Sequence, residues 1–255
     1  MNSIFPKIEF HYSFLFMALG LALTGHFSNL LIFTSLIIIH ELGHYVTASI
    51  FKYKVDKIII YPYGGLTKLN TLINTNIYKD LLIAVSGIIF QSIYFFIIYI
   101  LYINGIVREY IYNLFLLYHK SMLIFNLLPI IPLDGFKILN LILSKYFNFN
   151  LSNNLSVLIS LCTIIFFLFS NYYEKNYSII LVLGILMQNI YKFYNDISYI
   201  YNRFLLERYL YNINYKSKKI INNENKMYKN KSHLFIKDGK IISERTFLSN
   251  LFIKK

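Results

Sequence analysis

Two histidines four residues apart, with a glutamate beside the first, stand within an apolar stretch as His40-Glu41-Leu42-Gly43-His44. In a helix, side chains at positions i and i+4 lie on one face, one turn apart. The two imidazoles can therefore each direct a ring nitrogen to one metal ion, at about 2.0–2.1 Å for zinc. A carboxylate beside that face can receive a proton from water that the metal activates. The pattern predicts a hydrolytic metal site with His40 and His44 as ligands and Glu41 as the base.

The apolar surroundings of this motif favour a functional interpretation. A carboxylate and two imidazoles inside a bilayer are costly to bury, and such residues usually belong to a functional site. The alternative is a metal-free cluster of hydrogen-bonded polar side chains between helices. The remaining histidines, His11, His26, His119 and His233, are expected at interfaces or in the tail, and not as ligands.

A two-histidine site needs a third protein ligand, with the fourth position left to water. A second motif, Asn126-Leu127-Leu128-Pro129-Ile130-Ile131-Pro132-Leu133-Asp134-Gly135, offers Asp134, the one acidic residue besides Glu41 in the membrane spans predicted below. The two prolines of this motif must break or kink a helix. Broken backbone inside a bilayer is tolerated only where protein or a watery cavity satisfies its polar groups, which suits an active site. We expect Asp134 to meet the two histidines near the cytosolic ends of their helices.

The composition indicates where this chemistry would take place. Of 255 residues, 56% are hydrophobic and 15% are charged, whereas a soluble domain has about 25% charged residues. The same composition excludes intrinsic disorder, which requires low hydrophobicity. The single cysteine, Cys162, excludes an internal disulfide framework and a cysteine-rich metal cluster. We predict an all-α polytopic membrane protein with a small membrane-associated β-hairpin and a short cytosolic tail.

Six apolar segments are candidates for membrane helices, each of which needs about 20 mostly apolar residues. Basic residues are concentrated in alternate connections, which places the N-terminus and the residues after the sixth span in the cytosol. We expect residues 1–202 to form a transmembrane domain, with spans near 12–27, 30–51, 81–103, 117–143, 155–170 and 177–194.

The expected cytosolic tail, residues 203–255, is strongly basic. Its 13 Lys and Arg against 4 Asp and Glu supply +9 of the total charge of +13. A tail of this sign would be attracted to the anionic headgroups of the lipid bilayer, but the charge is equally compatible with a topology signal alone. Nucleic acid is not an expected partner, because no nucleic-acid-binding motif accompanies the charge.

Two hairpins are predicted outside the helices. Val55–Tyr61 resembles a strand, and Pro62-Tyr63-Gly64-Gly65 is a turn signal. This hairpin could lie in the membrane face and offer an edge to an extended substrate, or simply connect two helices; both interpretations stay open. Asp238-Gly239 predicts the turn of a second hairpin in the tail.

The two motifs together resemble the site-2 protease family of intramembrane zinc metalloproteases. The resemblance implies one zinc ion per chain, held by His40, His44 and Asp134, with Glu41 as catalytic base. It also implies that Asn126 lies at the active site and helps to hold substrate. We further expect Pro129, Gly64 and Gly65 to contact the substrate. The hairpin and the segment beginning at residue 203 resemble the sporulation branch of this family.

The resemblance to the sporulation branch implies a membrane-associated regulatory substrate, namely the inactive precursor of a sigma factor. It also implies membrane inhibitor proteins as partners and a location in the cell membrane, around the developing forespore. One alternative is a housekeeping site-2 protease with another membrane substrate. Another is a non-enzymatic metal-binding membrane protein or transporter, for which the predicted spans offer few polar residues beyond Ser86, Gln91 and Gln188.

Overall fold

The computed structural model of the chain describes residues 7–174, 177–211, 213, 215, 217–237 and 240–253. These residues are mostly helical, with two small three-stranded sheets. The helices are α1 (Tyr12–Leu23), α2 (Phe27–Ile50), α3 (Ile77–Ile103), α4 (Glu109–Leu127), α5 (Asp134–Tyr146), α6 (Phe149–Glu174), α7 (Tyr177–Leu210) and α8 (Glu244–Ile253). The strands are β1 (Lys7–Phe10), β2 (Lys54–Tyr61), β3 (Gly64–Asn70), β4 (Lys218–Ile221), β5 (Ser232–Lys237) and β6 (Lys240–Ser243).

Packing divides these elements into two compact units. The first contains the described residues up to Thr71 together with Leu82–Asn126. The second contains Leu72–Leu81 and the described residues from Leu127 onward. The predicted domains, 1–202 and 203–255, follow membrane topology instead of packing, and that division stays a prediction.

Three helical stretches among the described residues are long and apolar enough to cross a membrane. α1 is apolar but has only 12 residues, which rise about 18 Å across a hydrocarbon layer of about 30 Å. It ends at Leu23, so the first predicted span is wrong in its extent. Six spans are therefore not confirmed. The three long apolar helices are Phe27–Ile50, Ile77–Ile103 and Phe149–Ser170.

The fourth and sixth predicted spans differ from the helices of the structure. Within 117–143, α4 ends at Leu127 and α5 begins at Asp134, as the prolines of this segment indicated. A Cβ atom on Gly135 would overlap the carbonyl oxygen of Leu127, so glycine is required where the backbone of α5 lies against the preceding turn. The span predicted over 177–194 is only the first part of α7, which continues without a break.

Small polar side chains join α5 to α6 within the second unit. The hydroxyls of Ser144 and Ser152 lie 2.9 Å apart, and the Asn140 amide donates to Asn153 Oδ1 at 2.8 Å. Small residues let membrane helices approach closely, and such hydrogen bonds link them. The fifth span was predicted from residue 155, and it missed the first turn of α6 because that turn is polar.

The hairpin of the first unit is confirmed. β2 and β3 pair in antiparallel register up to Tyr61 opposite Gly64, around the turn at Pro62-Tyr63. Gly64 has a φ angle of +148°, which glycine adopts readily and other residues rarely do. β1 adds to β2 in parallel, which the sequence did not predict, and the strand order β1-β2-β3 leaves β3 at an edge.

The tail folds as a second small sheet. β4 pairs with β5 in parallel, and β5 pairs with β6 in antiparallel register, as the predicted hairpin requires. The predicted turn residues, Asp238-Gly239, lie outside the described residues. α8 covers one face of the sheet, where the rings of Phe235 and Phe247 stack 3.8 Å apart and Leu248 is fully buried.

Arg208, near the end of α7, holds this tail in place. Its guanidinium forms an ion pair with Glu244 at 2.9 Å and donates to the carbonyl oxygens of Tyr228 and Lys229 at 2.6 and 3.1 Å. The side chain is 1% exposed, and a buried charge is tolerated only with partners of this kind. The basic tail is thus packed on α7 through specific buried contacts.

His233 also contacts Glu244 and makes the packing of the tail depend on pH. Its Nε2 accepts the backbone N–H of Tyr228 at 3.0 Å, and its Nδ1 lies 3.2 Å from Glu244 Oε2. Burial disfavours the imidazolium and lowers the pKa of His233 below its usual value. The folded state therefore binds fewer protons than the unfolded state. The contribution of His233 to the stability of the folded tail is therefore fully present above the usual histidine pKa of about 6.5. It is lost as the pH drops through and below that value.

We expect acid to loosen the tail. Between about pH 7.5 and 5.5, the protection factors of the β5 amides against hydrogen exchange, corrected for the intrinsic exchange rate at each pH, should fall in the wild-type protein. His233→Gln should remove most of this pH dependence, whereas His26→Gln, which changes an exposed histidine outside the tail, should leave it intact. Equal pH dependence in the wild type and His233→Gln would contradict the assignment.

Candidate functional site

The first motif lies on α2, in the first unit, with its polar side chains buried. His40, Glu41 and His44 are 1%, 3% and 4% exposed. Their potential ligand atoms lie within 4.8 Å of one another, and no other group of this kind occurs among the residues that the structure describes. The Nε2 atoms of the two histidines are 3.2 Å apart. The spacing of the motif therefore brings the Nε2 atoms of both imidazoles next to each other, as the sequence predicted.

The other nitrogen of each ring identifies the tautomer. His44 Nδ1 lies 2.7 Å from the carbonyl oxygen of Ile83, which can only accept a hydrogen bond. His44 Nδ1 therefore carries a hydrogen, and in the neutral ring that ligates a metal Nε2 carries the lone pair. His40 Nδ1 lies 3.1 Å from Gln91 Oε1, which leads to the same assignment. Two lone pairs at 3.2 Å repel each other unless a cation or a proton lies between them.

Gly87 of α3 leaves space in front of these nitrogens. A Cβ atom at this position would lie 2.7 Å from His40 Nε2 and still closer to His44 Nε2. The missing side chain thus keeps open the volume that a shared metal ion would need. Together with two facing lone pairs, this space makes the site fit a cation of zinc's ligand preference.

The hairpin contacts the proposed base. Thr67 Oγ1 of β3 donates to Glu41 Oε2 at 2.6 Å. A Cβ atom on Gly65, also on β3, would lie 2.6 Å from Glu41 Oε1, so the backbone of the strand packs directly on the carboxylate. The edge strand of the sheet therefore fixes the position of Glu41 beside the two histidines.

Asp134, the predicted third ligand, belongs to the second unit. It is the first residue of α5, is 5% exposed, and its Oδ1 accepts a hydrogen bond from Lys137 Nζ at 2.9 Å. A helix N-terminus favours a carboxylate in its first turn. The structure places it at the predicted break, and its ligation of the same ion stays a prediction.

The other predicted site residues occupy different places. Asn126 is buried near the end of α4. The carbonyl oxygen of Pro129 accepts the Ser160 hydroxyl at 2.7 Å within the second unit. Gly65 packs on Glu41, whereas in the described part of the chain no atom beyond the two neighbouring residues lies within 4 Å of the position that a Cβ would take on Gly64. Contact with a substrate stays a prediction for these four residues.

Several residues next to the histidines were not predicted from the sequence. Gln91, Gly87 and Thr67 contact the motif from α3 and β3. His119, which was expected at an interface, is 7% exposed and accepts a hydrogen bond from Gln91, a contact that the sequence did not predict. The available signal was the presence of a glutamine inside an apolar helix, where a polar side chain needs a partner.

Comparisons with known proteins agree with this geometry. Residues 28–112 match the sequence model of Peptidase family M50. Stage IV sporulation protein FB of Bacillus subtilis (strain 168) is 32% identical over 208 residues, which cover 80% of this chain and 71% of that protein. Zinc metalloprotease MJ0392 of Methanocaldococcus jannaschii is 29% identical over 159 residues, covering 60% of this chain and 45% of that protein.

A solved structure shares the fold. The site-2 protease from Methanocaldococcus jannaschii superimposes with a TM-score of 0.57 at 23% sequence identity, covering 75% of this chain and 92% of that one. At this level of identity, the likeness concerns the fold alone.

The space at Gly87 should be essential for metal binding. An inserted methyl group that forces packed atoms to move costs about 1–3 kcal/mol. We therefore expect Gly87→Ala to weaken zinc binding by about tenfold or more, measured on the purified protein by competition with a chromogenic chelator. Gly184→Ala is the matched control, because among the residues that the structure describes no atom outside its own helix backbone lies within 4 Å of the added methyl group. Equal zinc affinity in the two variants would refute this role of Gly87.

Proposed function

The chain belongs to peptidase family M50, the site-2 proteases, and on this premise we propose that it cleaves a membrane-associated regulatory precursor. Membership in the family makes it a zinc metalloendopeptidase of the site-2 protease type and a membrane protein. The observation that carries the proposal is the pair of buried imidazoles whose Nε2 atoms meet at 3.2 Å beside Glu41.

One zinc ion per chain is proposed at this pair, with Asp134 as the third protein ligand. His40 and His44 each present a lone pair to the ion. The support for Asp134 is the second sequence motif and the need of a catalytic zinc site for three protein ligands. When bound, zinc lowers the pKa of a coordinated water to about 7 and polarises a carbonyl group.

Glu41 is proposed as general base and then general acid. Its carboxylate receives the proton of the attacking water and passes it to the leaving amine of the cleaved peptide. The hydroxyl of Thr67, at 2.6 Å from Oε2, holds the carboxylate in one orientation. Burial of the carboxylate at 3% exposure strengthens its electrostatic interaction with nearby charges.

The edge strand β3 is proposed to receive the substrate. A peptide bond in a helix is shielded by backbone hydrogen bonds, so the substrate must first unwind, and an extended segment can then add to a sheet edge. Gly65 and Thr67 of β3 contact Glu41, so a strand added here would run beside the base. Asn126 is proposed to position the substrate or its oxyanion, with Gly64 and Pro129 in contact with the substrate.

The proposed substrate is the inactive precursor of a sporulation sigma factor. The support is 32% identity with stage IV sporulation protein FB over 71% of that protein. On the same ground we propose membrane inhibitor proteins as partners, several membrane passes, a tail on the cytosolic side and a location around the forespore. A housekeeping site-2 protease with another membrane substrate is the rival within the same enzyme class.

Removal of the base should abolish cleavage without loss of the metal. Glu41→Gln keeps the shape of the side chain, and we expect cleavage of a co-expressed membrane-anchored sigma-factor precursor to fall at least about 100-fold, as measured by immunoblotting. Glu109→Gln, at an exposed position of α4, is the control. Unchanged cleavage by Glu41→Gln would overturn the mechanism. Cleavage by the wild type of an unrelated membrane anchor, but not of the precursor, would favour the housekeeping rival.

Loss of the third ligand should release the metal. We expect Asp134→Ala to weaken zinc binding at least about tenfold, measured by metal analysis after purification without chelators. Asp196→Ala, at an exposed position of α7, should retain zinc at the wild-type level. A zinc content of Asp134→Ala equal to that of the control would remove Asp134 from the ligand set.

A further inference from the structure

We propose that Gln91 is a positioning residue of the metal site, which holds the ring of His40 in the tautomer that can ligate zinc. The proposal rests on the proposed function, because it assumes that His40 and His44 bind the metal. It adds an interaction that neither the motifs nor the spacing of the histidines indicates.

Gln91 is enclosed between two histidines from different helices. It lies on α3, is 0% exposed, and its Oε1 is 3.1 Å from His40 Nδ1 on α2. On the other side, its Nε2 donates to the carbonyl oxygen of His119 on α4 at 3.0 Å and lies 3.2 Å from His119 Nδ1. All three helices contribute these atoms within the first unit.

The partner on α4 determines which way the amide faces. A backbone carbonyl oxygen can only accept, so the group of Gln91 that meets the His119 carbonyl must be the NH2 group. The amide oxygen is then directed to His40, and it also can only accept. His40 Nδ1 must consequently carry a hydrogen, and in the neutral ring the lone pair is then on Nε2, the atom that faces His44.

His119 is itself held in place. Its ring stacks on Phe95 of α3 with a centroid separation of 4.4 Å and an interplanar angle of 8°. Its Nδ1 accepts from the same Gln91 Nε2 that donates to its carbonyl oxygen. A continuous series of hydrogen bonds therefore runs from α4 through Gln91 to the imidazole of His40.

The two histidines are oriented by different kinds of group. The backbone carbonyl of Ile83 holds His44 and persists through any substitution at that position. A side chain holds His40, so this orientation can be removed by mutation. Loss of such an outer hydrogen bond typically costs about 10- to 100-fold in metal affinity.

The test compares two substitutions of similar size. Gln91→Met fills the same volume but offers no oxygen acceptor, and we expect zinc affinity to fall about 10- to 100-fold. Gln91→Glu keeps an acceptor oxygen for His40 Nδ1 and should hold zinc affinity near the wild-type value. Ser92→Ala is the control, because the Ser92 hydroxyl donates only to the Ile88 carbonyl of its own helix at 2.8 Å.

Zinc affinity is measured by chelator competition on the full-length purified chain, and the thermal unfolding midpoint is measured without metal. Loss of affinity in Gln91→Met, with rescue in Gln91→Glu and comparable unfolding midpoints, supports the proposal. Equal affinity in the wild type and Gln91→Met overturns it. Equal loss in Gln91→Met and Gln91→Glu also overturns it, because packing would then be the cause. A wild-type protein that binds no zinc refutes the proposed function itself, which separates the two failures.

Discussion

The arrangement of the site depends on two buried imidazoles whose Nε2 atoms face each other across 3.2 Å. When both rings are neutral and carry their hydrogen on Nδ1, neither Nε2 can donate to the other, and the approach is unfavourable. In this protein, acceptors on the far side of each ring fix both hydrogens on Nδ1, at Ile83 and Gln91. A cation shared by the two Nε2 atoms, as proposed for zinc, would relieve this repulsion.

Two neighbouring elements, α3 and the hairpin, each provide one feature that a metal site of this kind needs. On α3, Gly87 has no side chain, which leaves space directly in front of the Nε2 atoms of His40 and His44. The hairpin supplies the Thr67 hydroxyl, which holds the carboxylate of Glu41. These contacts come from segments that are distant in sequence and converge on one turn of α2. The space for the metal and the orientation of the base are consequently set by separate elements of the first unit.

The second unit is organised around buried polar contacts of another kind. The Arg208 guanidinium gathers carbonyl oxygens and the Glu244 carboxylate from the folded tail, while hydroxyls and amides join α5 to α6. In both places, burial makes each hydrogen bond necessary, because an unpaired polar group in a low-dielectric interior is costly. The net charge of the tail gave no indication that a fully buried arginine would anchor it.

The sequence alone determined the chemistry of the motif on α2, the hairpin turn at Pro62-Tyr63 and the break before Asp134, because helical periodicity, turn residues and proline act over a few neighbouring residues. It also indicated the long apolar helices but not their ends, since hydropathy does not register where a helix starts with a polar turn, as α6 does. Only the tertiary structure decided that β1 joins the hairpin in parallel, that Gly87 leaves space for a metal, and that Gln91 and His119 orient His40. These features depend on contacts between segments far apart in the chain, for which a single sequence carries no local signal.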